Sequence, residues 1–271
     1  MTTTKAAFAH SKISVLKTFV TNKDAAWHAF DPEAYFTHYY GKPHPDDDVL
    51  TVLAARALKD AADASPRGLD VIDVGTGPSL IPLLAALPVA TRLTAWEYAA
   101  PNLEWLAREL SGTALRPQWL HFWQSVKAAH CVEGAGSNPL LAHDPLPLLV
   151  QRVRLLRGSI FDLPRQAYDA ATMFFCAESI TSSRAEFGAA VTAFTSTVRP
   201  GGTVAAAFLS GSSGYNVSDR RFPAVSLTEA QITDALAPRL ASLSVTPIGL
   251  SDHEIRSGYS GALFISGRTR S

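Results

Sequence analysis

The apolar positions divide the chain into two regimes. Up to residue 65 they recur at helical spacing, with a short amphipathic stretch at residues 13–20. Asp31 followed by Pro32 is a helix start, a cap and then a first-turn proline. Residues 46–64 predict the next helix, with Val49, Leu50, Leu53 and Ala57 on one face. From residue 69 short β-branched runs alternate with helical stretches. Strands are expected at 69–74, 92–97, 155–160, 170–176 and 203–208. Helices are expected at 80–87, 102–111 and 185–198, and two last apolar runs, 242–248 and 261–266, suit an antiparallel pair. Alternating strands and helices predict an α/β fold: a mostly parallel sheet with helices on both faces. Residues 113–153 break the rhythm. Trp119, Phe122 and Trp123 precede a Gly/Pro-rich loop and a helix-like 148–153, an insertion long enough to form part of a lid.

Composition narrows the classes. The chain has 271 residues, 47% hydrophobic and 18% charged, which is enough for a real core and reads as a single domain. Lys plus Arg and Asp plus Glu are both 24, so a nucleic-acid partner is not expected. Cys131 and Cys176 are the only cysteines, which excludes a disulfide scaffold and suits a reducing, cytoplasmic setting. The N-terminus lacks a secretory pattern, and no stretch reads as a membrane span. The eight histidines show no ligand spacing, and Asp46-Asp47-Asp48 reads as a solvated helix start, so no metal site is expected. Spacing leaves the oligomeric state, monomer or dimer, open.

The segment Asp73-Val74-Gly75-Thr76-Gly77-Pro78-Ser79 follows a strand and precedes a helix. Glycines there allow a sharp turn and close approach to a ligand. Twenty residues beyond Gly77, at the end of the next strand, Glu97 can accept the ribose hydroxyls of a nucleoside. A dinucleotide fingerprint needs a third glycine where Leu80 stands, and a Gly-Lys-Ser/Thr phosphate loop is absent. The loop therefore suits a nucleoside without phosphates, S-adenosylmethionine foremost, better than NAD or ATP.

This loop, together with Trp96–Asn102, Phe174-Phe175-Cys176-Ala177-Glu178 and Arg199-Pro200-Gly201-Gly202, resembles the nicotinamide, phenylethanolamine and indolethylamine N-methyltransferase family. Phe30–Tyr35 with Tyr39-Tyr40-Gly41 is similar to that family's entry motif, and the segment from Trp119 to Gly134 to its insertion. The resemblance implies a seven-stranded Rossmann-like sheet, a helical lid over residues 1–65 and a core over 66–271. It implies that Tyr35, Tyr40, Gly75, Thr76, Gly77, Ser79, Glu97, Tyr98, Asn102, Ser159, Ile160 and Phe174 hold the S-adenosylmethionine. Tyr39, Phe175, Glu178, Phe208, Tyr215 and His253 would meet the acceptor, with Glu178 and Tyr35 as the catalytic pair. Glu178 could bind an ammonium or take a proton; it could also simply complement a helix start.

Departures from the family shape the acceptor. Ser159 stands where the family has an Asp toward adenine. Phe208 stands where the nicotinamide enzyme has a substrate-binding Asp, and Ser257 where the phenylethanolamine enzyme has an acid. These point to a methyltransferase for a small aromatic acceptor, an aryl amine or an indole-like ring, methylated at nitrogen or at an electron-rich carbon such as indole C3. Arginines outnumber lysines 17 to 7, which suits a bacterial natural-product pathway. The alternative from another class is an S-adenosylmethionine-binding protein without catalysis.

Overall fold

The computed structural model describes residues 19–65, 67–131, 138–249, 256 and 258–270. After two single-turn 3-10 helices (Asn22–Asp24 and Trp27–Ala29) come α1 (Pro32–Tyr39) and α2 (Pro45–Asp63). The Asp31 side chain accepts the Ala34 amide at 2.9 Å and opens α1, as the Asp-Pro pair predicts. The expected stretch at 13–20 falls outside the described residues except for Phe19 and Val20, which are not helical.

The core then runs β1 (Leu69–Val74), α3 (Ile81–Ala86), β2 (Ala90–Glu97), α4 (Ala100–Ser111), α5 (Pro117–His130), α6 (Pro145–Arg152), β3 (Val153–Arg157) and β4 (Tyr168–Phe174). It continues through α7 (Arg184–Ser196), β5 (Val198–Ser210), a hairpin of β6 (Tyr215–Val217) and β7 (Arg220–Phe222), α8 (Glu229–Leu236), β8 (Leu240–Ile248) and β9 (Gly261–Thr269). Seven strands form one sheet in the order β3-β2-β1-β4-β5-β9-β8. The first five are parallel, and β9 runs antiparallel to both β5 and β8.

Side-chain alternation loads both faces of the sheet. In β1, Leu69 and Val71 join the core beneath α2, α3 and α5, whereas Ile72 and Val74 join the core beneath α7 and α8. The chain leaves β1 toward β2 and β3, then returns to the other side of β1 as β4. The carboxyl ends of β1 and β4 therefore diverge into a crevice, where such sheets bind ligands.

Two expectations are corrected. The described part of the insertion at 113–153, which excludes residues 132–137, is no lid. Trp119, Phe122 and Trp123 are fully buried, and α5 packs along α2 as part of the helical layer. It buttresses the entry helix instead: Phe36 and Tyr40 lie 5.2 and 5.7 Å, ring to ring, from Trp119. Arg116 adds a tie, donating to Glu33 of α1 at 2.6 Å and to Glu109 at 2.8 Å. Second, residues 209–241 hold a hairpin and a helix where no element was expected. Thr228 and Gln231 form a reciprocal capping box at the start of α8, a signal present in the sequence.

Candidate active site

The glycine loop carries the site. Gly75 and Gly77 sit at φ 67° and 58°, the left-handed region that favours glycine. A side chain at Gly75 would run into the Cys176 sulfur and come within 2.8 Å of its Cβ. Glu97, buried at the end of β2, fastens the loop: one carboxylate oxygen accepts the Gly77 amide at 2.8 Å and the other the Ala99 amide at 2.7 Å. Burial raises the Glu97 pKa against these hydrogen bonds.

Around this loop lies a crevice of about 840 Å³ including its mouth. Of the residues expected on the nucleoside side, Tyr35, Tyr40, Gly75, Thr76, Gly77, Ser79, Glu97, Tyr98, Asn102, Ile160 and Phe174 all line it. Ser159 does not. Its hydroxyl accepts the Phe161 amide and caps a 3-10 turn; its carbonyl accepts the Trp96 indole N–H at 3.0 Å. Trp96, Gly158 and Ile160 form that wall instead.

A second cavity, about 960 Å³ including its mouth, opens beside the first. Tyr39 lines it, with Leu50, Leu209 and Tyr259. Tyr35, Tyr40, Phe175 and Arg256 line both cavities and form the wall between them. Phe175 holds this place at φ 54°, a conformation rare for an aromatic residue; such strain gathers at functional sites. Its amide donates to the Ala207 carbonyl at 2.8 Å.

An aromatic cover closes over the first crevice. Trp27 and Phe30 from the N-terminal segment meet Phe222 of the hairpin at 5.2 and 4.9 Å between ring centres. Tyr35 sits 6.3 Å from Tyr215 and 4.4 Å from Tyr39. Tyr215, expected beside the acceptor, thus lines the first crevice and not the second.

Two acceptor expectations are corrected. Phe208 lines neither cavity: it lies fully buried on the α7 face, edge-on to Phe187. On β5 the residue facing the second cavity is its neighbour Leu209, one step along the alternation. Glu178 also lines neither cavity. It is fully buried, one carboxylate oxygen accepts the Leu209 amide at 3.0 Å, and the other has no partner. Tyr35, the other expected catalytic residue, has its pKa pushed up to about 12 by burial, so it stays a neutral phenol at ordinary pH. His253 and Ser257 lie outside the described residues.

Three residues at the site were not anticipated. Asp73, at the end of β1, lines the first crevice; Thr172 donates to one oxygen at 2.6 Å and the other is unpartnered. Burial pushes its pKa up to about 7. Asp47 lines the second cavity rather than standing in solvent, and burial pushes it too up to about 7. Its neighbour Asp48 turns outward to Ser125 and His121. Arg256 is the third.

Glu178 makes a pH prediction. Burial pushes its pKa from 4.5 up to about 7. The unfolded chain ionises there first, so the contribution is intact below about pH 4.5 and lost as pH rises through about 7, a cost of about 3 kcal/mol. Asp47 and Asp73 act in the same direction. Glu178→Gln should flatten the fall in stability between about pH 5 and 8, measured by urea melts at each pH. Parallel curves for the two proteins would reject the assignment.

Among the described residues no group of three His, Cys, Asp or Glu could hold a metal, and no helix is long and apolar enough to cross a membrane. The model of the NNMT/PNMT/TEMT family matches residues 17–259. The chain is 27% identical over 234 residues to phenylethanolamine N-methyltransferase of Sus scrofa, covering 78% of this chain and 77% of that one. It is 24% identical to nicotinamide N-methyltransferase of Sus scrofa over 226 residues, 80% of this chain and 83% of that one. An S-adenosylmethionine-dependent methyltransferase structure from Methanosarcina mazei superposes with a TM-score of 0.50 at 10% identity, covering 75% of this chain and 94% of that one.

Proposed function

We propose that this chain, which belongs to the NNMT/PNMT/TEMT family of S-adenosylmethionine-dependent methyltransferases, methylates a small aromatic acceptor held in the second cavity. The observation that carries this reading is the shared wall: Tyr35, Tyr40, Phe175 and Arg256 separate the nucleoside crevice from a second cavity walled by Tyr39, Leu50, Leu209 and Tyr259.

The residues present fit the donor. Glu97 has lone pairs left for ribose hydroxyls after accepting two amides. The unpartnered oxygens of Asp73 and Asn102 suit an ammonium and a hydroxyl or amino group. The absent Cβ at Gly75 leaves the backbone open to close approach. When bound, S-adenosylmethionine supplies an electrophilic methyl group on a sulfonium. The protein's part is positional. The tyrosines and Phe175 present ring faces that tolerate a cation and exclude water. The wall between the cavities sets the line along which acceptor and methyl meet, the main source of rate for a direct displacement. Glu178 stands behind this wall, near enough to be felt by Arg256 but not in contact with it, and is a positioning residue. Asp46 and Asp47 are the acidic groups of the second cavity, and Asp47, the one burial protonates most readily, could hold an acceptor ammonium or receive a proton.

The test is transfer of labelled methyl to a panel of aryl amines, tryptamines and indoles, with products read by mass and fragmentation. A methylated nitrogen or an indole methylated at C3 is the expected result, and the fragments tell which. S-adenosylhomocysteine binding without product on any aromatic acceptor would replace this reading with that of a non-catalytic binding protein.

A further inference from the structure

Among the described residues Arg256 is a cation paired with no anion. Its side chain is 95% buried, being 5% exposed. One terminal nitrogen donates to the Ser179 hydroxyl at 2.7 Å and the other to the Tyr35 hydroxyl at 3.0 Å. Its guanidinium carbon lies 4.1 Å from the centre of the Tyr215 ring and 5.3 Å from that of Tyr39. Every one of these partners is neutral. Glu178 is near enough to be felt but is not in contact, and none of the ion pairs among the described residues includes Arg256. The Nε–H has no acceptor among the described residues.

An arginine cannot shed its proton to escape such a place. A buried charge held only by neutral dipoles is costly, and the cost is recovered when an anion arrives with matching geometry. The guanidinium fork matches a carboxylate, which it takes through two parallel hydrogen bonds. Arg256 borders the second cavity as well as the first, so an anion can reach it from either. The first crevice already offers Asp73, Glu97 and the loop to its ligand, and a sulfonium bound there would bring a further positive charge to the same crevice. In the second cavity the charged and titratable groups are His38, Lys42, His44, Asp46 and Asp47, besides the tyrosines. Asp46 and His44 face each other at 3.6 Å.

We propose that Arg256 is a carboxylate-recognition residue and that the methyl acceptor is an aromatic acid, its ring lying against Tyr39 and Phe175 and its carboxylate on the guanidinium. This rests on the reading of the second cavity as the acceptor site. A carboxylate could also come from the amino-acid tail of the donor, and the experiment separates the two sources.

The enzyme is saturated with S-adenosylhomocysteine and titrated calorimetrically with matched acids and amides: benzoate and benzamide, phenylacetate and phenylacetamide, indole-3-acetate and indole-3-acetamide, with tryptamine as the cationic control. At least one acid should bind about tenfold or more tighter than its amide, and indole-3-acetate tighter than tryptamine. Arg256→Gln should abolish that preference, whatever it does to S-adenosylhomocysteine affinity. Arg256→Lys, which keeps the charge and loses the fork, should give an intermediate loss and covers the case of a poorly folded glutamine variant. Equal affinity for every acid and its amide would overturn the proposal. So would a fall in S-adenosylhomocysteine affinity with the acid preference intact, which would give the arginine to the donor. Acid binding that persists with no methyl transfer to any acceptor would overturn the enzymatic reading and leave the carboxylate site standing.

Discussion

Glu97→Ala is expected to weaken S-adenosylhomocysteine binding by about a hundredfold or more, read by titration calorimetry. Three losses combine. The charge-assisted bonds to ribose are worth about 1.5–3 kcal/mol. The Gly77 and Ala99 amides lose the carboxylate that now accepts them at 2.8 and 2.7 Å. The loop itself is then untied from the end of β2, so the donor must also order it. Orphaning two buried amides should lower the melting temperature as well, at about 1–3 kcal/mol each. Glu97→Gln keeps one acceptor oxygen but turns an N–H toward an N–H, and should fall between the two. An unchanged dissociation constant in the alanine variant would place the ribose elsewhere.

The second large effect is expected at Gly75. Alanine there must adopt φ 67° and push its methyl into the Cys176 side chain. The left-handed conformation costs about 1–2 kcal/mol and overpacking about 1–3 kcal/mol. Gly75→Ala should therefore lose about 2–5 kcal/mol of stability and most donor affinity. Cys176→Gly removes the obstructing sulfur and Cβ but not the backbone penalty. In the double variant the overpacking share should disappear, a coupling of about 1–3 kcal/mol in a double-mutant cycle. Strict additivity would show that the two residues do not press on each other.

How far the sequence could be read depended on whether the relevant spacing was local. The glycine loop, the acid twenty residues on and the Asp-Pro helix start are all short-range patterns, and they located the crevice and α1. Phe208 failed for a different reason. Thr203 to Leu209 is apolar on both faces of a strand buried on both sides, so nothing in it marks which parity faces the cavity. Glu178 stands at the right corner of the sheet, but a backbone amide from β5 turned its carboxylate inward. Asp73 could have been found: an acid closing the strand before a glycine loop points to the ligand side. Arg256 could not. Its partners are Tyr35, Ser179 and Tyr215, far away in the chain, and no period links them. The insertion was misread because Trp119, Phe122 and Trp123 suit a pocket and a core equally; their depth depends on α2.

The wall of Tyr35, Tyr40, Phe175 and Arg256 belongs to both cavities, so neither ligand can settle against it without changing what the other meets. Whatever free energy one ligand spends ordering those four side chains, the second need not spend again. Linkage makes the benefit mutual: the factor by which the nucleoside tightens the acceptor equals the factor by which the acceptor tightens the nucleoside. If both cavities fill as proposed, the two sites are expected to be thermodynamically coupled, which calorimetric titration of one ligand with and without the other would show. With positive coupling, product departure from one side would loosen the hold on the other and tie the end of each turnover to the start of the next.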